Sequence, residues 1–336
     1  MSARRAGVWI AFATAALVLA WLCVFTGTVD IPVGETLKVL GGGEASKSTW
    51  THIILELRLP MTVTALLTGC SLGLAGLLLQ TTFNNPLAGP SVLGVSTGAS
   101  LGVAVMLLAL PGVMSQSLSA LAGAAIGAVA VIVVLVGLSV IVRSAVMLLI
   151  VGLMLSYLGS SAIAWLNFYA TQEGVHSYVI WGLGNFSGVG TEMLGQYALL
   201  NVLFCAAAFF LVKPLNAMLL GERYAANTGT NVKLYRIVIL GVAGALIAVT
   251  TAFCGPIGFI GLAVPHIARL FWKTSNHRVL VPAVLLCGAV TGLLTLWISM
   301  LPGQRGMLPV NAITPMIGVP VVIYIILNRR KISYFN

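Results

Sequence analysis

Long apolar runs alternate with short polar punctuation along this chain, and the runs set its architecture. A helix rising about 1.5 Å per residue needs about 20 apolar residues to cross about 30 Å of hydrocarbon. Runs of that order predict ten helices, at 8–27, 60–81, 92–110, 117–142, 145–168, 194–212, 234–254, 257–272, 280–300 and 312–327. The first has a rival reading as a cleaved signal after Met-Ser-Ala-Arg-Arg. It is as long as a full span and lacks a clear small-x-small cleavage site, so a retained first helix is expected. The pattern predicts an all-α integral membrane protein forming one transmembrane domain over residues 1–336.

Two polar breaks interrupt the runs. In "LLLQTTFNNPLAGPSVLGVSTGAS" (77–100), Asn84, Asn85, Pro86, Gly89 and Pro90 separate two helical segments. In "GALIAVTTAFCGPIGFIGLAVPHIAR" (244–269), Gly255, Pro256, Gly258, Pro265 and His266 follow a similar plan. The first segment begins outside and turns inside, and the second does the reverse. That relation predicts an inverted repeat, with helices two to five matching helices seven to ten. Gly69, Gly73, Gly76, Gly94, Gly98 and Gly102 would let neighbouring backbones approach closely. At the first break, Asn84 and Asn85 are expected to satisfy backbone groups near the prolines, because irregular backbone at membrane depth survives only against protein or water. The plainer alternative is a corner between helices with no part in transport.

Composition excludes a soluble domain: of 336 residues, 59% are hydrophobic and 7% charged, with mean hydropathy +1.07. The net charge of +10 does not point to nucleic acid, because the basic residues sit in short clusters between apolar runs. With the N-terminus inside, Arg4, Arg5, Arg143, Lys213, Arg223, Lys233, Arg236, Arg269, Lys273, Arg278, Arg329, Arg330 and Lys331 fall on the cytoplasmic side. Only Lys38, Lys47, Arg58 and Arg305 fall opposite, and this asymmetry puts both termini in the cytoplasm. Acidic residues run the other way, with Glu222 alone inside.

No carboxylate is expected deep within a span, which disfavours an ion-coupled secondary carrier, the main rival reading. The chain has no H-E-x-x-H, no plausible Ser/His/Asp set and no phosphate-binding G-x-x-x-x-G-K-[ST], so neither catalysis nor a nucleotide site of its own is expected. Cys23, Cys70, Cys205, Cys254 and Cys287 occur singly and read as packing residues, with no metal site.

The longest cytoplasmic connection, "KPLNAMLLGERYAANTGTNVKLYR" (213–236), predicts a short helix over 217–226 stopped by Asn227-Thr228-Gly229. Met218, Leu219 and Leu220 beside Glu222 and Arg223 suit docking into a groove of a soluble partner, the alternative being a solvated linker.

Five ordered blocks then carry a resemblance over essentially the whole chain: "LRLPMTVTALLTGCSLGLAGLLLQ", "NNPLAGPSVLGVSTGASLG", "LNAMLLGERYAANTGTNV", "GPIGFIGLAVPHIARLF" and "LPVNAITPMIGVPVVIYIIL". They resemble the FecCD-type permease subunits of ABC importers for iron chelates, heme and vitamin B12. The resemblance implies a ten-helix, vitamin-B12-permease-like fold in the bacterial cytoplasmic membrane and a pathway between two copies of the chain. It implies two cytoplasmic ATPase subunits, which carry ATP and Mg, and an extracytoplasmic substrate-binding protein.

ATPase coupling would then involve Asn216, Leu219, Gly221, Glu222, Arg223, Ala226 and Gly229. The two breaks, at Asn85, Pro86, Gly89 and Pro90 and at Gly255, Pro256, Gly258, Pro265 and His266, become turns that respond to the ATPase. Arg58 and Arg305 are the expected binding-protein contacts. Met61 stands where a second arginine is common, and Met307-Leu308-Pro309 replaces the usual Glu-Leu-Pro. Ser156, Ser160, Ser161 and Asn167 are candidate pathway positions, and the glycine-rich segment 169–188 is expected to be mobile. The expected cargo is a bulky metal chelate, a ferric siderophore ahead of cobalamin or heme.

Overall fold

The structure, a computed structural model, describes residues 3–142, 144–303 and 306–327. All ten expected runs are helical. In chain order the helices are α1 (Ala3–Phe25), α2 (Val33–Leu40), α3 (Ser48–His52), α4 (Leu59–Thr82), α5 (Val95–Ala104), α6 (Gln116–Ile141), α7 (Ala145–Tyr169) and α8 (Gln172–Gly182). They continue with α9 (Thr191–Phe210), α10 (Val212–Met218), α11 (Glu222–Asn227), α12 (Val232–Cys254), α13 (Ile260–Trp272), α14 (His277–Met300) and α15 (Val310–Leu327). Among the described residues, seven helices are long and apolar enough to cross a membrane, and Val95–Ala109, Ile260–Trp272 and Val310–Tyr324 form three shorter apolar ones.

The second expected helix is longer than its apolar run. α3, a π-helical turn over Ile53–Arg58 and α4 form one rod from Ser48 to Thr82. Pro60 lacks an amide proton and its ring crowds the carbonyl four residues back, so the wider π turn before it lets the rod continue.

Helix packing repeats between the halves. α4 packs on α14 as α12 packs on α6; α5 on α6 as α13 on α14; α5 on α7 as α13 on α15; and α4 on α13 as α12 on α5. Exchanging α4–α7 for α12–α15 maps these contacts onto one another, which is the expected inverted repeat.

α4 is the central pillar. Of its best apolar stretch 78% is buried, against 6% for α1, 22% for α6 and 17% each for α7 and α9, so these four rim helices present their apolar side chains outward. The pillar is crossed at glycine. A Cβ on Gly69 would lie 2.0 Å from the Gly288 carbonyl oxygen, and one on Gly76 would lie 1.7 Å from that of Gly261. Gly102 and Gly123 bring α5 and α6 together in the same way. Polar contacts join α4 to α9: Thr68 and Tyr197 share a hydrogen bond of 2.6 Å, and Ser71 donates to Asn201 at 2.5 Å.

Candidate functional site

Chemistry concentrates at the basic end of the bundle, where α4 ends, α13 ends and α14 begins. After Thr82 the chain turns through Asn84 at φ 45°, a left-handed conformation that asparagine tolerates better than most residues. The Asn85 side-chain oxygen accepts from the Leu87 amide (2.9 Å) and its carbonyl accepts from Ala88 (3.1 Å). Gly89 then accepts from Val92 (3.0 Å), starting the 3-10 turn Pro90–Leu93 that leads into α5. Asn85 thus satisfies the backbone as expected, whereas Asn84 contributes its conformation.

The two breaks meet here. His266, 1% exposed, donates from Nε2 to the Pro86 carbonyl at 2.8 Å. Pro265 leaves the Gly261 carbonyl without its helical donor, and that carbonyl is the one against which Gly76 packs. Arg269, in the last turn of α13 where the helix dipole favours a cation, donates from Nη1 to Gln80 Oε1 at 2.5 Å. Gln80 Nε2 donates to the Leu262 carbonyl (3.2 Å). Next along α4, Thr81 Oγ1 lies 2.8 Å from Nε2 of His277, the first residue of α14.

The 213–236 connection joins this cluster. Asn216 Oδ1 accepts from both the amide (2.8 Å) and Nδ1 (3.0 Å) of His277, while its Nδ2 donates to Asn276 at 3.1 Å. One helix over 217–226 was the expectation; instead α10 ends at Met218, Gly221 turns the chain at φ 100°, and α11 follows. A continuous helix would have to pass through a residue whose backbone lies outside the right-handed region. Leu219 is half-buried and Glu222 opens α11. Ala225 anchors α11 in the core while Arg223, Tyr224 and Ala226 are exposed, and Gly229 at φ 82° ends it. Gln80, Thr81, Arg269 and His277 were not singled out from the sequence. A basic residue and a histidine at span ends read as topology until a neighbouring helix supplies partners.

At the opposite end, Asn311 ties three segments together. Its Nδ2 donates to the carbonyls of Gly182 (3.1 Å) and Pro256 (2.6 Å), and its Oδ1 accepts from Gly258 (3.1 Å). Gly255 holds φ 75°, and a Cβ there would strike the Trp181 carbonyl at 2.5 Å. The signal for Asn311 lay inside the block "LPVNAITP". The glycine-rich segment 169–188 forms α8, whose N-terminus Thr171 caps through Gly174 (3.2 Å), so Gly174 and Gly182 are helical. Met307 and Leu308 line a cavity of about 220 Å³ with Gly184 and Phe186.

The arginine expected to project at this end does not. Arg58 is 3% exposed and donates from Nη1 to the carbonyls of Val24 (3.0 Å) and Phe25 (3.2 Å), and from Nη2 to that of Val29. It closes the end of α1, because last-turn carbonyls lack helical donors and attract a planar fork of N–H groups. Met61, in the first turn of α4, is buried as well. Arg305 lies outside the described residues.

On α7, Ser156 and Asn167 donate back to their own helix at Gly152 and Ile163 (3.0 Å each), whereas Ser160 and Ser161 are exposed beside Tyr157 and Leu158.

A family model, the FecCD transport family, matches residues 15–328. The vitamin B12 import system permease protein of Klebsiella pneumoniae is 33% identical over 97% of this chain and 96% of its own. That of Salmonella typhi is 36% identical over 94% and 95%. An inward-facing structure of a metal-chelate type ABC transporter superposes with TM-score 0.83 at 25% identity, covering 96% of this chain and 99% of that one. With the match running nearly end to end, the chain belongs to the FecCD transport family and is a permease subunit of an ABC importer of the metal-chelate and vitamin B12 type.

Proposed function

We propose that two copies of this chain enclose a passage in the bacterial cytoplasmic membrane, with both termini in the cytoplasm, through which a bulky metal chelate enters the cell. Two separate ATPase subunits, which bind ATP and Mg, dock on 213–236, and a substrate-binding protein delivers cargo at the opposite face. The observation that carries this reading is the join between connection and bundle: Asn216 is bonded to the first residue of α14, while α11 beside it holds Arg223, Tyr224 and Ala226 exposed. Leu219, Gly221, Glu222 and Gly229 shape that docking surface. The breaks at 85–90 and 255–266 are the turns that move.

Delivery involves Arg305, and Arg58 holds the end of α1 in place. Ser160 and Ser161 face the passage, with Ser156 and Asn167 nearer the helix contacts. A corrinoid stands ahead of a ferric siderophore or heme because the Klebsiella and Salmonella relatives are named for vitamin B12 import.

The test is uptake of labelled cobalamin, ferric siderophore and heme into vesicles holding the chain with its ATPase and binding protein. Uptake of one cargo that needs ATP and the binding protein is expected. Uptake that ignores ATP and follows an imposed ion gradient would overturn the reading in favour of a secondary carrier.

A further inference from the structure

Four helices meet at the basic end through buried polar side chains where aliphatic packing would have sufficed. Asn216 of α10 bonds His277 of α14, and His277 bonds Thr81 of α4. Gln80, adjacent in α4, bonds Arg269 of α13, and one turn earlier in α13 His266 bonds the Pro86 carbonyl. Gln80, Thr81, His266, Arg269 and His277 are each at most 2% exposed. The first residue belongs to the 213–236 connection, and the last acceptor belongs to the break between α4 and α5.

We infer that this chain of contacts is a mechanical relay, in which Gln80, Thr81, Arg269 and His277 are positioning residues that make the 83–90 turn follow displacements of the 213–236 connection. The inference rests on the importer reading, since it assigns a route to the coupling which that reading requires.

The links are directional. The His277 amide fixes Asn216 Oδ1 as an acceptor, so Nδ1 of His277 carries a proton. On its other side the ring's Nε2 and the Leu77 carbonyl both lie within hydrogen-bond reach of the Thr81 hydroxyl, at 2.8 and 3.0 Å. Shifting Asn216 therefore changes where the imidazole sits and how it meets Thr81. Arg269 follows His266 by three residues, about one turn of α13, and its bond to Gln80 ties that turn to the stretch of α4 whose next residue, Thr81, meets His277. A rearrangement at one histidine is thereby felt at the other. His266 delivers it to a backbone carbonyl inside the turn, where a change in one hydrogen bond moves the chain itself. Buried polar networks of this kind hold discrete arrangements because a half-made one is costly.

The test is a double-mutant cycle on residues that do not touch in the contact chain: Asn216→Ala, His266→Phe and both together. The readout is cobalamin imported per ATP hydrolysed in vesicles containing the ATPase and binding protein, or the cargo that the unmodified chain takes up. Ser71→Ala, which removes a buried bond to Asn201 away from the relay, is the matched control. Each single variant is expected to lower cargo per ATP about tenfold, with the double no worse than the poorer single, as coupled sites behave. ATP hydrolysis and recovery of the ATPase with the permease are measured for every variant, so that the ratio is read per assembled, hydrolysing complex, and Ser71→Ala should leave the ratio unchanged. Losses that multiply in the double, a ratio unaffected by either single, or an equal loss in Ser71→Ala would overturn the relay. Absence of ATP-dependent uptake in the unmodified chain would instead refute the importer reading.

Discussion

Arg58 shows how one side chain changes meaning between sequence and structure. Its guanidinium satisfies three backbone carbonyls at and beyond the end of α1. Removing it leaves three partly buried acceptors without that donor; a fully buried one costs roughly 1–3 kcal/mol to leave unmade, and a partly buried one less. Arg58→Ala is therefore expected to lower the thermal midpoint of the purified permease, with Arg58→Lys recovering only part of it; an unchanged midpoint would mean that the closure contributes nothing.

Glu35 makes a smaller, exposed case. The Ser46 hydroxyl and amide hold its carboxylate below the ordinary 4.5, the hydroxyl bond being the larger cause. A depressed folded-state value contributes stability that is present above about 4.5 and lost as pH falls through the lower folded value. Ser46→Ala should thus narrow the difference between midpoints measured at pH 7 and in that acid range. Equal acid sensitivity in both proteins would remove the hydrogen bond as its cause.

At the scale of elements, the breaks matter more than the helices they separate. Asn85 supports the 83–90 turn through the Leu87 amide, while His266 holds the adjacent Pro86 carbonyl. Replacing Asn85 with alanine leaves α4 and α5 their apolar faces but loosens the segment between them. The expected outcome is intact assembly by size-exclusion chromatography with less cargo imported per ATP. Unchanged transport per ATP would return this turn to the plainer role of a corner. The division of 213–236 into α10 and α11 follows the same logic, since Gly221 at φ 100° supplies a bend that no other residue type adopts without strain.

At the scale of the whole molecule, α4 is enclosed by its own chain while α7 leaves Tyr157, Leu158, Ser160, Ser161, Trp165 and Phe168 exposed. Lipid suits the aromatic and aliphatic members of that face; the two serines suit a passage or a second copy better. If α7 lines the seam between copies, Ser160→Cys, in a background with the five native cysteines replaced, should form cross-linked dimers in membranes under mild oxidation. A purely monomeric product would place the seam on another rim helix.

The ten apolar runs, the two breaks and their opposite sense were determined by sequence alone, because each rests on local hydrophobicity or on the few residues that interrupt a helix. The same holds for the asparagine turn at 84–85 and the length of the 213–236 connection. Tertiary structure decided what pairing requires. It turned Arg58 inward onto α1, made α8 of a glycine-rich segment, and brought Gln80, Arg269 and His277 together from three helices. A side chain's donors and acceptors are visible in its formula, but whether they meet water, a carbonyl or another helix depends on contacts between residues up to 270 apart in the chain.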